Sequence, residues 1–256
     1  MKKKKKHLLR ISSISIFATV LTLAILFITS CTKEAPLQEE QLVEFNNPFK
    51  EYGILHNEVL GEILEKTSKT GLTKENIISA AKEVAYSRGL MNSKNDSEFP
   101  EKKIMEIYEC IDETFEDMTT ALVDKGYVSE KMNQKLIAFS QLVDENEFQS
   151  LSLEEMRSRL ISYEWSIVND HLLSQTEKEA MLVFTSVAKG SLDFWHEYYV
   201  ENGVQGKSGW RFWFVLGADA VAWAGCIFAP GGIGIGWGSI VSAAISGLAH
   251  HVAHQN

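Results

Sequence analysis

The sequence predicts an all-α protein: a helical bundle of about six helices followed by a C-terminal apolar, Gly-rich helical hairpin. Three observations support this fold class. Apolar residues between positions 49 and 200 recur at spacings of three and four, which is the period of an amphipathic helix. Capping residues and glycines divide this region at short intervals, as in a bundle with short links. The strict apolar-polar alternation typical of half-buried strands is absent.

The first two helices are predicted on either side of Gly71. The apolar positions of the first helix recur at helical spacing: Tyr52, Leu55, Val59 and Ile63. Thr73 has a side chain suited to cap the second helix, which ends near Gly89. A polar loop at 92–98 follows, and Pro100 suits the start of the next helix.

The strongest helical pattern runs from Ile104 to Leu122 and predicts one long helix that ends at Gly126. Ser129 can cap the helix after it. Each of the next two helices begins with a capping box, in which Ser and Glu stand three residues apart: Ser152 with Glu155, and Ser174 with Glu177. The last of these helices extends toward residue 198.

Composition changes sharply after the bundle. No charged residue occurs from Ala220 to Ala249, and an Ala-Pro-Gly-Gly turn signal at 229–232 divides the apolar region. We therefore predict two apolar helices, at 209–228 and 233–251. Small residues recur every four positions along both, a spacing that lets two helix backbones approach closely.

Two arrangements of this hairpin are open: it packs against the bundle, or it enters lipid as a membrane-active glycine zipper. Each arm is near the minimum length for a membrane span. However, Arg211 and Asp219 lie in the first arm, and the glycines between 231 and 238 weaken the second arm as a helix. We therefore expect the hairpin to pack against the bundle.

The N-terminal segment predicts export. Lys2 to Lys6 and Arg10 form a positive region, and an apolar stretch follows to Ile28. Residues 28–31, Ile-Thr-Ser-Cys, resemble the lipobox of bacterial lipoproteins, in which the cysteine is acylated and becomes the mature N-terminus. The resemblance implies lipidation of Cys31. An uncleaved signal anchor is the alternative, because the apolar stretch approaches the length of a span.

These patterns divide the chain into four segments: a lipoprotein signal peptide (1–30), a flexible acidic tether (31–47), a helical bundle domain (48–203) and the apolar hairpin (204–256). The charged pairs Lys33-Glu34 and Glu39-Glu40 in the tether resemble the surface-export signal of Bacteroidota lipoproteins. This resemblance implies an outer-membrane lipoprotein and favours exposure at the cell surface.

Charge excludes one class of partner. The chain carries a formal net charge of −9, and the predicted signal peptide holds six of its cations and no acid, so the mature chain carries −15. Such an acidic protein repels phosphate backbones, which argues against nucleic acid as a partner. The expected partner is the outer membrane, contacted through the acyl chains, since several chains on one cysteine exceed the requirement for stable attachment. The sequence identifies no protein or envelope partner.

No complete catalytic motif is present. Residues 186–189, Ser-Val-Ala-Lys, match the Ser-x-x-Lys of penicillin-binding enzymes without its companion motifs, so we expect a solvated helix face there. His56 with a nearby carboxylate has the groups for acid–base chemistry. Asp219 lies within an apolar helix and needs a partner or a proton. His250 and His254 form a weak candidate pair for a metal, and no cofactor is predicted.

Residues 52–63 and 188–225 resemble an uncharacterised family of Bacteroidota helical lipoproteins that have a Gly/Ala-rich C-terminal segment. The matching residues are His56, Asn57, Leu60, Trp195, Trp213, Ala218 and Asp219. The resemblance implies a single unit from Tyr52 to the C-terminus, and it implies no activity. The hairpin alone is similar to the glycine-zipper helices of some bacteriocins.

We therefore expect an exported, lipid-anchored helical protein with a non-enzymatic binding or envelope-interaction role. The alternatives are a membrane-active glycine-zipper effector and a weak hydrolase that uses His56 with a carboxylate. Cys110 and Cys226 are expected to be buried free thiols, with a disulfide between them as the alternative.

Overall fold

A computed structural model describes residues 45–92, 99–111, 114–142, 151–201, 209–227 and 235–255. These ranges contain nine helices and no strand, which confirms the predicted all-α class. The helices are α1 (Lys50–Thr70), α2 (Lys74–Ser87), α3 (Glu101–Tyr108), α4 (Phe115–Asp124), α5 (Glu130–Leu142), α6 (Leu153–Val168), α7 (Gln175–Glu201), α8 (Gly209–Ile227) and α9 (Ile235–Gln255). The predicted signal peptide, most of the tether, residues 202–208 and the predicted turn at 229–232 lie outside the described residues.

The apolar hairpin, α8 and α9, packs against the other helices as expected. The two helices lie along each other; α9 also contacts α1, α2 and α3, while α8 contacts α3, α4 and α7. Residues from Glu44 to Asn256 form one compact unit. No helix among the described residues combines the length and the hydropathy that a membrane crossing requires.

Local capping signals position the helix starts as predicted. The Thr73 side chain accepts a hydrogen bond from the Asn76 backbone N–H at the start of α2. A complete capping box starts α6, and the same reciprocal bonds precede α7, where Ser174 accepts from the Glu177 N–H and the Glu177 carboxylate accepts from the Ser174 N–H. These bonds satisfy donors that every helix start leaves open.

The single helix predicted from Ile104 to Leu122 is in fact two helices, so seven helices rather than about six precede the hairpin in the described ranges. α3 ends at Tyr108, and Thr114 caps α4 by accepting from the Asp117 N–H. The helical spacing of apolar residues continues from α3 into α4 because both helices pack against the same position on α8. Ile107 of α3 and Leu122 of α4 both lie 3.3 Å from the position that a Cβ on Gly225 would occupy.

α1 and α7 meet through glycine. A Cβ on Gly53 of α1 would lie 2.3 Å from the Ser186 carbonyl oxygen, and one on Gly190 of α7 would lie 2.9 Å from the Gly53 carbonyl oxygen. Such distances are shorter than packed atoms tolerate, so the two backbones are in direct contact here. This contact sets how close α1 and α7 lie beside the polar groups described below.

Cys110 and Cys226 are both buried and free, as predicted. Burial raises the pKa of the Cys226 thiol from its usual 9.0 to about 12, and burial also raises the pKa of Cys110. The thiolate is the reactive form of cysteine, so both groups are held in the unreactive state.

Gly53→Ala is expected to destabilise the protein by about 1–3 kcal/mol, because the added methyl group pushes α1 away from α7. Gly61→Ala on the same helix is the matched control. Its Cβ would meet only the Phe194 ring edge, at 3.8 Å, so it should be neutral or stabilise by up to about 1 kcal/mol through helix propensity. Urea unfolding of both variants measures the difference, and equal effects would contradict the close contact.

The Cys110 and Cys226 thiols are expected to react with an aromatic disulfide reagent far more slowly in the folded protein than in urea. The pKa of Cys226 is higher in the folded state than in the unfolded state, so the folded protein keeps a proton that the unfolded chain releases. Stability should therefore fall as the pH rises from about 9 toward 12, and Cys226→Ala should lessen that fall. Rapid thiol reaction without denaturant would refute this burial.

Candidate functional site

Four helices bring one polar side chain each to a point inside the bundle. The His56 Nε2 of α1 lies 3.5 Å from the Asp219 Oδ2 of α8. The Trp195 Nε1 of α7 donates to the same carboxylate oxygen at 3.2 Å, and the His56 Nδ1 lies 2.8 Å from the Ser242 hydroxyl of α9. We call these four residues the buried centre. His56 and Asp219, the two residues that the sequence singled out, are therefore brought together.

The helical register explains why these groups face inward. His56 precedes Val59, Leu60 and Ile63 on the buried stripe of α1. Asp219 has no solvent-facing alternative, because its described neighbours along α8 are buried on successive turns: Val215, Leu216, Ala218, Val221 and Ala222. A carboxylate in such surroundings requires hydrogen-bond donors, and the indole N–H of Trp195 provides one.

The buried centre contains the three groups of a serine-hydrolase triad in the same spatial order. A hydroxyl, an imidazole and a carboxylate follow one another, from Ser242 through His56 to Asp219, which is the order of a Ser-His-Asp triad. The imidazole is reversed relative to that arrangement, since Nδ1 faces the hydroxyl and Nε2 the carboxylate. The distance of 3.5 Å places Nε2 beside Asp219 without forming a hydrogen bond.

The four residues of the buried centre are not accessible from solvent. His56, Trp195, Asp219 and Ser242 are each 0% exposed to solvent. Surface grooves of about 210 and 380 Å³ occur in the described part of the chain, and none of these four residues lines either groove. A substrate must come within hydrogen-bond reach of its nucleophile and base, so the geometry gives the hydrolase alternative no support.

His250 extends the buried polar region along α9. It is 2% exposed, its ring lies 4.7 Å from the Trp195 ring, and its Nδ1 lies 3.3 Å from the Tyr199 hydroxyl. His254, its predicted metal-binding partner, has a side chain outside the described set. Among the described residues, no cluster of three or more His, Cys, Asp or Glu side chains has the arrangement of a metal site.

A second polar cluster lines the groove of about 210 Å³ between α1, α6 and α7. Glu164 of α6 is fully buried, and its carboxylate accepts from Asn47 at 2.6 Å, from Thr185 at 3.1 Å and from the Lys189 ammonium at 3.1 Å. Neither Glu164 nor Asn47 was predicted from the sequence as a site residue. One signal was present: Glu164 stands at helical spacing from Leu160, within an apolar stripe, where an acid requires partners.

Ser186 and Lys189 differ from their predicted environment. The Ser186 hydroxyl is buried; it accepts from the Gly53 N–H at 3.2 Å and donates to the Phe49 carbonyl at 2.8 Å. Lys189 pairs with Glu164 instead of extending into solvent. The predicted solvated helix face is therefore wrong: α7 turns this face toward α1 and α6, where both side chains join the helices together.

Comparisons with known proteins add no assignment: the chain matches no protein-family model, no curated protein and no solved structure. Roles for the two polar clusters therefore depend on their geometry. The buried centre joins α1, α7, α8 and α9, and the groove cluster joins α1, α6 and α7 with the segment before α1. Both arrangements hold helices in place.

Asp219→Ala is expected to destabilise the protein by about 3–5 kcal/mol, because it leaves His56 and Trp195 buried without their carboxylate partner. Replacing both members, in His56→Leu with Asp219→Leu, should destabilise by less than the sum of His56→Leu and Asp219→Leu alone, since neither the imidazole nor the carboxylate is then left without the other. The Trp195 N–H loses its acceptor in Asp219→Leu and in the double variant alike. Urea unfolding of His56→Leu, Asp219→Leu and the double variant completes the double-mutant cycle. Strict additivity would show that the two side chains do not interact.

Proposed function

We propose that this chain is an exported, lipid-anchored helical protein whose folded domain has a binding or envelope-interaction role. The observation that carries the proposal is the sequence before and at Cys31: a basic region, an apolar stretch and Ile-Thr-Ser-Cys. Acylation of that cysteine supplies the membrane attachment. The proposal includes membership of the Bacteroidota lipoproteins that the sequence resembles.

The packing of the hairpin supports attachment through Cys31. The longest charge-free part of the mature sequence belongs to α8 and α9, and their described side chains are mostly buried against the other helices. That apolar surface is engaged inside the domain, so it does not serve as an anchor in this conformation. A membrane-active effector would have to withdraw the hairpin from α1, α2, α3, α4 and α7.

The location proposed is the outer membrane, with the domain displayed at the cell surface. The acidic tether and its Lys33-Glu34 pair support this location. The charge of −15 on the mature chain, which is the full-chain −9 less six signal-peptide cations, disfavours nucleic acid as a partner. The burial of His56, Asp219 and Ser242 supports a binding role over a catalytic one, because these side chains hold helices together and offer no accessible reactive group.

Cys31→Ser is expected to abolish incorporation of labelled palmitate and to move the protein out of the washed outer-membrane fraction, either as a released protein or as an unprocessed precursor. Cys110→Ala is the matched control, since it removes a different cysteine and leaves the lipobox intact. It should remain labelled and anchored. Mass spectrometry of the N-terminal peptide identifies the processed and acylated end.

Normal labelling and anchoring of the Cys31→Ser variant would overturn the lipoprotein proposal. An unprocessed N-terminus in the wild-type protein would instead identify residues 11–28 as an uncleaved anchor.

A further inference from the structure

The domain exposes large apolar side chains beside the point where the tether joins it. Trp165 of α6 is 39% exposed and Ile54 of α1 is 55% exposed. Phe45, the first described residue, packs the edge of its ring against Trp165, with ring centroids 5.2 Å apart. We call Phe45, Ile54 and Trp165 the Trp165 face.

Hydrogen bonds hold this face to the rest of the domain. Asn47, two residues after Phe45, donates to Glu164, the neighbour of Trp165, at 2.6 Å and to the Leu182 carbonyl at 2.8 Å. Ile54 lines the same groove as Asn47 and Glu164. Ile54 therefore lies on the groove itself, while Phe45 and Trp165 contact each other and stand next in the chain to residues of that groove or two positions away.

We infer that the Trp165 face docks on the surface of the phospholipid bilayer to which Cys31 is anchored. The inference rests on the proposed lipidation. Cys31 precedes Phe45 by 14 residues, and a chain of that length spans at most about 50 Å when fully extended. Phe45 belongs to the face itself, so the anchor limits how far this surface can move from the bilayer.

The chemistry of the face suits a membrane–water interface. Tryptophan favours this region because its ring is apolar and its N–H is polar. Lys50 and Glu51 are exposed nearby at the start of α1, and their opposite charges give no net attraction to anionic lipid. The apolar groups must therefore provide the affinity, and docking should depend little on salt.

A small apolar face is sufficient only because the domain is tethered. Two or three exposed side chains bind a bilayer weakly when the protein is free in solution. The anchor makes the second contact intramolecular, with an effective concentration on the order of millimolar for a linker of about this length. The mature chain from residue 31, produced without its acyl groups, should accordingly show no binding to the same vesicles.

The test uses the lipidated full-length protein in phosphatidylcholine vesicles that carry a nitroxide in the acyl chains. A fluorophore is attached at Lys50→Cys, one helical turn from Ile54; the native thiols Cys110 and Cys226 are buried and remain unlabelled. We expect the nitroxide to quench this probe, and Trp165→Glu in the same background to lose the quenching. Tyr86→Glu is the matched control because Tyr86 of α2 is similarly exposed, at 41%, and the quenching should persist.

Failure of the docking inference is distinguishable from failure of the lipid anchor. An unquenched probe on a protein that floats with the vesicles, or loss of quenching in both glutamate variants, overturns the docking and leaves the anchor in place. A protein that carries no acyl group and does not float overturns both. Circular dichroism of the Trp165→Glu and Tyr86→Glu proteins shows whether each remains folded.

Discussion

Burial of the charge-free hairpin is the constraint on which the rest of the structure depends. α8 and α9 contact α1, α2, α3, α4 and α7, so five of the seven preceding helices in the described ranges share a core with the last part of the chain. Close approach makes this possible: positions beside Gly225 and Gly247 are filled by aliphatic side chains of the surrounding helices, namely Ile107, Leu122, Ile77 and Ile63. A glycine-rich apolar segment that would be weak as an isolated helix is therefore supported by its neighbours.

Polar groups specify how the hairpin sits in that core. A helix of small apolar side chains can rotate or slide against its neighbours with little change in packing. A buried carboxylate, in contrast, is stable only where hydrogen-bond donors are in position. Asp219 accepts a hydrogen bond from Trp195 and lies beside His56, and the Ser242 hydroxyl contacts the other side of the imidazole. We interpret the buried centre as a register device, which explains why hydrolase-like groups occur without a path for substrate.

Sequence reasoning succeeded where the signal is local. Capping pairs three residues apart located helix starts, and a charge-free composition located the hairpin, because both signals lie within one element. The sequence pattern predicted α3 and α4 as one helix because both bury their apolar faces on α8. The spacing of apolar residues therefore continues through the turn between them. Sequence reasoning singled out His56 and Asp219 as polar residues in apolar surroundings, but their proximity depends on tertiary packing. The Asn47–Glu164 bond spans 117 positions and has no local signal at Asn47.

The late position of the hairpin in the chain has a consequence for folding order. The His56–Ser242 contact joins positions 186 residues apart, and the helices that surround α8 and α9 all precede them. During synthesis the surrounding helices therefore emerge with their apolar faces uncovered, and the native core cannot close until nearly the whole chain is available. Until α9 has been made, the chain exposes apolar surface that favours association with other chains, so aggregation competes with folding at this stage.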